Sequence, residues 1–319
     1  MTVATDTHDA AAIAEAIVRA HAGRFGAGEP AAEPLAFSSG DPIYRGAKQA
    51  TARLGFIDAD AECLARAWQA QSARLGRFDA AAWPDFPADF GLRPFPPTER
   101  ADAFPACPMR LGLYAVLPDA QWVDRMARAG VPTLQLRFKS QDAQAVTREV
   151  RAAVDAVRGS ASLLFINDHW RAAIDAGAYG LHLGQEDLDA LGAAELDAIR
   201  AAGLRLGVST HGYAEMQRAD AVGPSYIAMG AVYPTTLKRM ATAPQGVARL
   251  AAYARLMRGY PQVGIGGIDM ARMPEVLATG VGSIAVVRAI VADADPEGAA
   301  RRMGAVMDGA GGGASDAAP

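Results

Sequence analysis

The chain has little of what several protein classes require. Its 319 residues include only two cysteines, Cys63 and Cys107, which predicts a reducing compartment rather than a disulfide framework. It has no uncharged apolar stretch of about 18 residues, and its first residues lack the pattern of a signal peptide. No long run of lysine and arginine is present, and the formal net charge is −4. These absences predict a soluble, cytoplasmic protein that binds neither membrane nor nucleic acid.

Composition divides the chain into four segments. Residues 1–80 contain two amphipathic helical patterns and no complete motif, which predicts a helical, non-catalytic extension of unknown role. Residues 81–109 are rich in proline and aromatic residues, and proline fixes φ and lacks a donor, so an ordered connector is expected. Residues 110–308 are regular, and residues 309–319, rich in glycine and alanine, are predicted to be a flexible tail.

The regular segment alternates short apolar runs with longer stretches of helical period. The eight apolar runs are LGLYAVL (111–117), TLQLRF (133–138), SLLFIN (162–167), YGLHL (179–183), LRLGVS (204–209), SYIAMG (225–230), QVGIGG (262–267) and GSIAVV (282–287). Eight strand–helix pairs in about 200 residues predict an α/β fold, the (β/α)8 TIM barrel. An open doubly wound sheet is the alternative, but its Gly-rich first turn is absent.

In such a barrel the reactive groups lie at the carboxyl ends of the strands, so polar residues that end apolar runs are candidates. Gln135, Arg137 and Lys139 end the second run at a spacing of two, which places them on one face and predicts an anion site. The alternative is a strand that runs into solvent. Gly266 and Gly267 end the seventh run and would let backbone N–H groups approach a phosphate.

Two carboxylates are predicted to face the basic cluster. Asp168 follows Asn167 at the end of the third run, and Asp187 comes shortly after the fourth. Mg²⁺ prefers a few carboxylate oxygens together with water and substrate phosphate, so the pair predicts a Mg²⁺ site. The alternative is a loop residue and a helix N-cap. His182, inside the fourth run, is interpreted as a structural histidine.

Further candidates follow the fifth and sixth runs. Ser209 ends the fifth run, and because no acid completes a triad with it, a serine hydrolase is excluded. Thr235, Thr236 and Lys238 lie in the loop after the sixth run and offer hydroxyls and an ammonium group, although an ordinary surface loop has the same composition. Two anion sites, one divalent cation and no nucleophile predict a reaction with a diphosphate leaving group.

These motifs, in this order, resemble those of thiamine-phosphate synthases. The resemblance covers residues 110–305, and its most specific part is INDHWRAAIDAGAYGLHLGQED (166–187). It implies a transferase that joins 4-amino-2-methyl-5-hydroxymethylpyrimidine diphosphate to 4-methyl-5-(2-phosphoethyl)thiazole. It further implies that pyrophosphate leaves first, with Mg²⁺ assistance, and that the thiazole nitrogen attacks the resulting pyrimidine-methyl cation.

The resemblance also implies a role for each matched residue. Pyrimidine-diphosphate contacts match Gln135, Arg137, Lys139, Asn167, Ser209 and Lys238; the Mg²⁺ ligands match Asp168 and Asp187; the thiazole-phosphate site matches Thr235, Thr236, Gly267, Val287 and Arg288. The predicted catalytic residues are Arg137, Lys139, Ser209 and Lys238. The chain departs from the family pattern where Leu237 replaces a threonine, Arg288 a serine and His169 an arginine.

Three other functions are weighed against this one. A thiazole tautomerase shares the barrel but does not need the diphosphate and metal residues. A degenerate barrel would bind thiamine precursors or scaffold a partner enzyme without turnover. A phospho-sugar isomerase would need a base at a suitable strand end, which is missing. The expected partners are small-molecule substrates, and the sequence leaves a homo-oligomer open.

Overall fold

The structure is a computed structural model that describes residues 9–26, 35–93, 100–235 and 243–311. The chain divides into two compact units. The first consists of residues 1–94 together with 212–221, and the second of residues 95–211 together with 222–319. Among the described residues, no helix has the length and apolar character needed to cross a membrane.

Three helices form most of the first unit: α1 (Ala10–Phe25), α2 (Pro42–Arg53) and α3 (Asp58–Leu75). Aspartates start the first two helices, since Asp9 accepts from the backbone N–H of Ala11 and Asp41 from that of Tyr44. Helix α2 packs against both α1 and α3. The prediction of a mainly helical N-terminal region is confirmed, whereas its exact boundaries stay a prediction.

The second unit is built on eight parallel strands that close into a barrel in sequence order, with the last strand paired to the first. The strands are β1 (Leu113–Leu117), β2 (Thr133–Leu136), β3 (Leu163–Asn167), β4 (Gly180–Leu183), β5 (Arg205–Thr210), β6 (Tyr226–Met229), β7 (Gln262–Ile265) and β8 (Ser283–Val286). Both faces of such strands are covered, which explains their nearly continuous apolar sequences. The predicted (β/α)8 barrel is confirmed.

Helices follow every strand. They are α4 (Ala120–Arg128), α5 (Ala143–Ala156), α6 (Trp170–Ala176), α7 (Gln185–Asp189), α8 (Ala193–Ala201), α9 (Tyr213–Val222), α10 (Gly246–Leu256), α11 (Met273–Leu277), α12 (Arg288–Val291) and α13 (Pro296–Gly311). Aspartate N-caps again mark two of the starts: Asp119 accepts from the N–H of Trp122, and Asp142 from that of Gln144. Because all eight strands are parallel, their carboxyl ends and the loops that follow them lie at one end of the barrel.

Aromatic rings fill the barrel interior, and glycines on the neighbouring strands leave the space that these rings occupy. Tyr114, Phe165 and Tyr226 are almost completely buried in the central cluster. A Cβ atom on Gly207 would lie 2.1 Å from the ring of Tyr226, and one on Gly180 would lie 2.5 Å from the ring of Phe165. The two glycines therefore make the space in which these rings sit.

Helix α9 belongs to the first unit, although it directly follows the fifth barrel strand. Its Tyr213 stacks on Phe90 and accepts a hydrogen bond of 3.0 Å from the indole N–H of Trp83. Asp60 of α3 accepts from the backbone N–H of Ala214, at 2.9 Å. Because this N–H lies in the first turn of α9, where no helical carbonyl is available, Asp60 caps the helix from a distant part of the chain.

Candidate active site at the carboxyl end of the barrel

The predicted site residues lie on or after the carboxyl ends of the parallel strands. In chain order, the positions are Gln135 in β2 with Arg137 and Lys139 after it, Asn167 at the end of β3 with Asp168 after it, Asp187 in α7, Ser209 in β5, Thr235 after β6, Gly266 and Gly267 after β7, and Val287 with Arg288 after β8. Thr236 and Lys238, with the neighbouring Leu237, lie outside the described residues.

Asp168 has an unusual backbone conformation. Its φ is 64°, and within the described part of the chain it is the one residue other than glycine with a positive φ. Its N–H donates to the carbonyl of His182 on the next strand, at 3.0 Å, and tight turns follow at His169 and Trp170. Left-handed backbone is disfavoured for residues with a Cβ and is concentrated at functional sites. The backbone is therefore held in a disfavoured conformation that sets the direction of this carboxylate.

Three charged groups are brought together here. The ammonium nitrogen of Lys139 lies 2.9 Å from Oδ2 of Asp168. Burial and the neighbouring charge of Asp168 raise the pKa of Asp187, while Lys139 acts in the opposite direction. Two close carboxylates repel each other, and a divalent cation relieves this repulsion. The structure thus brings together Lys139, Asp168 and Asp187, which follow three different strands of the barrel.

The pair of carboxylates fits a Mg²⁺ ion. Within the described ranges, no cluster of three or more His, Cys, Asp and Glu residues could hold a metal. Zinc sites use such clusters, whereas Mg²⁺ is commonly held by one or two carboxylates with water and substrate phosphate. Two carboxylates, as at Asp168 and Asp187, are a donor set of the kind that Mg²⁺ accepts.

Ser209 is held from two sides. Nε2 of His182 lies 2.8 Å from its hydroxyl oxygen, and the side-chain amide of Gln185 donates to its backbone carbonyl at 2.7 Å. Burial lowers the pKa of His182 to about 4, with a further contribution from the charge of Arg137 and an opposing one from Asp168. The imidazole is consequently uncharged at neutral pH.

Two residues that contact this hydrogen-bonded group behind His182 were not predicted from the sequence. Its Nδ1 lies 2.6 Å from the hydroxyl of Tyr226, which lies 2.8 Å from that of Tyr114. Gln135 donates to Tyr114 at 3.0 Å. The available signal was a tyrosine within each of two predicted barrel strands, since a buried phenol requires a polar partner.

The loops after β6 and β7 are joined by backbone hydrogen bonds. Val232 donates to the carbonyl of Ile265, and Tyr233 to that of Gly266, at 3.0 and 2.9 Å. Gly266 and Gly267 have φ of 106° and 65°, and a Cβ on either would lie within 2.7 Å of the loop after β6. In this structure the two glycines are required by loop-to-loop packing, and their phosphate contact stays a prediction.

Arg272 contacts both of these loops and stabilises their packing. Its guanidinium donates to the carbonyl of Gly267 and lies over the ring of Tyr233, 4.5 Å from the ring centre. The hydroxyl of Tyr233 donates in turn to Glu275. The loop after β6 is therefore anchored just before Thr235, where its described part ends.

Comparisons with known proteins agree with one another. The sequence model of a family described as thiamine monophosphate synthase matches residues 113–290. A thiamine-phosphate synthase of Neisseria meningitidis serogroup B is 53% identical over 206 residues, which is 65% of this chain and 99% of the relative. One from Shigella boydii is 55% identical over 192 residues, or 60% of this chain and 90% of the relative.

A solved structure is also similar. The thiamine phosphate pyrophosphorylase from Pyrococcus furiosus superposes with a TM-score of 0.56 and 25% identity, covering 63% of this chain and 96% of that one. The Neisseria relative is matched almost end to end, so about a third of this chain has no counterpart in it. The family match extends over more than half of the sequence and includes all eight strands of the barrel. This chain therefore belongs to the thiamine monophosphate synthase family and is a transferase.

Proposed function

We propose that the carboxyl end of the barrel is where this chain synthesises thiamine phosphate, by joining the pyrimidine diphosphate to the thiazole phosphate with release of pyrophosphate. The observation that carries the assignment of the site is the group formed by Lys139, Asp168 and Asp187, in which the two carboxylates interact unfavourably with each other. Such a group suits Mg²⁺ and a diphosphate, because the metal relieves the repulsion and the ammonium group pairs with phosphate oxygens.

The residues at the mouth have complementary tasks in this proposal. Arg137, Lys139 and Lys238 neutralise the diphosphate, and Gln135 and Asn167 orient the pyrimidine ring. Mg²⁺, held by Asp168 and Asp187, would supply further neutralisation of the leaving group. Hydrogen bonding from Ser209 completes the site.

The reaction proposed is a dissociative substitution. The bond between the methylene carbon and the diphosphate oxygen breaks with both electrons on pyrophosphate, and the lone pair of the thiazole nitrogen then forms the new C–N bond. This order needs charge stabilisation and positioning but no protein nucleophile. The two cysteines support this view, since burial raises the pKa of both Cys63 and Cys107 to about 12 and keeps them as thiols.

The thiazole phosphate is assigned to the loops after β6, β7 and β8. This is the usual phosphate site of the fold. The residues proposed for it are Thr235, Thr236, Gly266, Gly267, Val287 and Arg288. Thr235 and Arg288 support this assignment because they follow the carboxyl ends of β6 and β8.

Arg288→Ala should raise the KM for thiazole phosphate about tenfold or more and leave the KM for the pyrimidine diphosphate nearly unchanged. The reason is that a charged hydrogen bond to phosphate contributes roughly 1.5–3 kcal/mol. Steady-state kinetics with each substrate varied in turn measure both constants. Arg301→Ala, on the outer helix α13, is the matched control. Equal changes in both KM values would contradict the assignment.

The activity itself is tested with the purified full chain, both substrates and Mg²⁺. Thiamine phosphate and pyrophosphate should form in equal amounts, and a chelator should stop the reaction until Mg²⁺ is restored. Conversion of the thiazole substrate without the pyrimidine would instead indicate a tautomerase. Substrate binding by folded protein without any product would indicate a degenerate barrel, and either result would refute the proposal.

A further inference from the structure

A continuous chain of hydrogen bonds crosses the barrel interior. It runs from Gln135 through Tyr114, Tyr226 and His182 to Ser209, with donor–acceptor distances of 3.0, 2.8, 2.6 and 2.8 Å. Its first four members are at most 7% exposed. An unpaired buried donor costs about 1–3 kcal/mol, so each hydrogen in the chain needs an acceptor within it.

This requirement fixes the direction of the chain. The amide of Gln135 donates to the hydroxyl of Tyr114. Tyr114 therefore gives its own hydrogen to the oxygen of Tyr226, and Tyr226 gives its hydrogen to Nδ1 of His182. Because Nδ1 accepts, the single hydrogen of the neutral ring lies on Nε2, which donates to the Ser209 hydroxyl oxygen.

Hydrogen-bond donation in the opposite direction would leave one buried hydrogen without an acceptor. If Nδ1 donated to Tyr226, the hydroxyl of Tyr226 would have to donate to Tyr114. Tyr114 would then accept from both Tyr226 and Gln135, and its own hydrogen would have no acceptor in the chain. A doubly protonated imidazole would produce the same defect, so hydrogen counting alone selects the neutral ring with the hydrogen on Nε2.

We propose that Tyr226 and His182 are positioning residues that hold the Ser209 hydroxyl as a hydrogen-bond donor to substrate. The oxygen of Ser209 accepts from His182, its backbone carbonyl is held by Gln185, and its hydrogen remains for a group in the barrel mouth. The group it serves must be an acceptor, such as a phosphate oxygen or an unprotonated ring nitrogen. This inference rests on the proposed function and adds the direction of one contact.

Histidine tautomers can be measured directly in the full chain. The sequence has five histidines, so two-bond nitrogen–proton correlations of 15N-histidine-labelled protein are simple to assign with a His182→Gln variant. We expect the neutral ring with its hydrogen on Nε2 at neutral pH. A ring with its hydrogen on Nδ1, or a doubly protonated ring, overturns the proposal. This result does not depend on turnover, so it stands apart from the test of the proposed function.

Steady-state kinetics distinguish a positioning role of Tyr226 from a purely structural one. Tyr226→Phe should lower kcat about tenfold with little change in the KM for thiazole phosphate, and it should remove the single-tautomer signal of His182. The matched control is Tyr253→Phe, because Tyr253 is also almost completely buried and donates a hydrogen bond of 3.0 Å to Gln245, which is not part of the hydrogen-bonded chain. Equal kcat values for the two variants, with an unchanged His182 tautomer, would overturn the proposal.

A conservative replacement at position 182 gives a second measurement. The amide nitrogen of His182→Gln can still donate to Ser209, whereas His182→Leu leaves the hydroxyl oxygen without its donor. We expect the leucine variant to lose about a hundredfold in kcat and the glutamine variant clearly less. Equal losses in two variants that remain folded would show that a donor at this position has no role.

Discussion

Asp187→Asn should greatly lower Mg²⁺-dependent synthesis while making the metal-free protein more stable at neutral pH. The loss of one charged ligand is expected to lower activity on the order of a hundredfold or more, since metal assistance contributes several kcal/mol to such a transition state. The gain in stability has a separate cause. Burial and the charge of Asp168 raise the pKa of Asp187 above its ordinary value of 3.8.

The sign of the stability effect follows from proton binding. A folded-state pKa above the unfolded value means that the native chain binds more protons than the unfolded chain over that interval. Stability therefore falls as pH rises from 3.8 through the raised pKa of Asp187, and the decrement persists at neutral pH. The amide in the Asp187→Asn variant does not ionise, so this variant does not lose stability as the pH rises.

Thermal unfolding at pH 7, with and without Mg²⁺, measures both effects. The unchanged chain should gain stability on adding Mg²⁺, as expected for a ligand that binds only the native state. The Asn variant should start from a higher Tm and respond much less. Glu186→Gln is the matched control, because Glu186 is an exposed neighbour in the same helix. A variant with unchanged Mg²⁺ response would remove Asp187 from the proposed site.

Trp83→Ala should destabilise the first unit by about 3–5 kcal/mol, the usual cost of deleting a buried indole. The ring is 6% exposed and lies within 5.6 Å, between ring centres, of four other rings. These are His21, Phe25, Phe56 and Trp68. The variant also loses the hydrogen bond from the indole to Tyr213 of α9.

Denaturant unfolding followed by limited proteolysis tests this prediction. Cleavage within residues 9–93 should accelerate strongly in Trp83→Ala, while Trp122→Ala, on the half-buried face of α4, should change stability by less than about 1 kcal/mol. A separate early transition would show that the first unit unfolds before the second. Equal behaviour of the two variants would show that the aromatic cluster contributes little.

The fold could be predicted from the sequence because its signals are local. Each apolar run is bounded by turn residues and followed by a helical period, and eight repetitions leave few architectures. Parallel strands also bring their carboxyl ends together, which is why Lys139, Asp168 and Asp187 could be placed at one site before any geometry was known. The barrel and the position of its site could therefore be predicted from short-range sequence patterns and from the rule that parallel strands bring their carboxyl ends together.

The hydrogen-bonded chain through the barrel could not be predicted in the same way. Tyr114 and Tyr226 are 112 positions apart, and which rings meet inside a barrel depends on the stagger of the strands. His182 was interpreted as structural because nothing in its run identifies its partners. The assignment of α9 to the first unit was equally hidden, since Asp60 and Ala214 are 154 positions apart.

The cap that Asp60 provides to α9 has an evolutionary consequence. A Cβ at position 212 would lie 2.0 Å from a carboxylate oxygen of Asp60, and loss of Asp60 would take an acceptor from the N–H of Ala214. A side chain at position 212 is therefore expected to be tolerated only where Asp60 is also changed. We therefore expect Asp60 and Gly212 to have constrained each other during the evolution of this chain, although they lie far apart in its sequence.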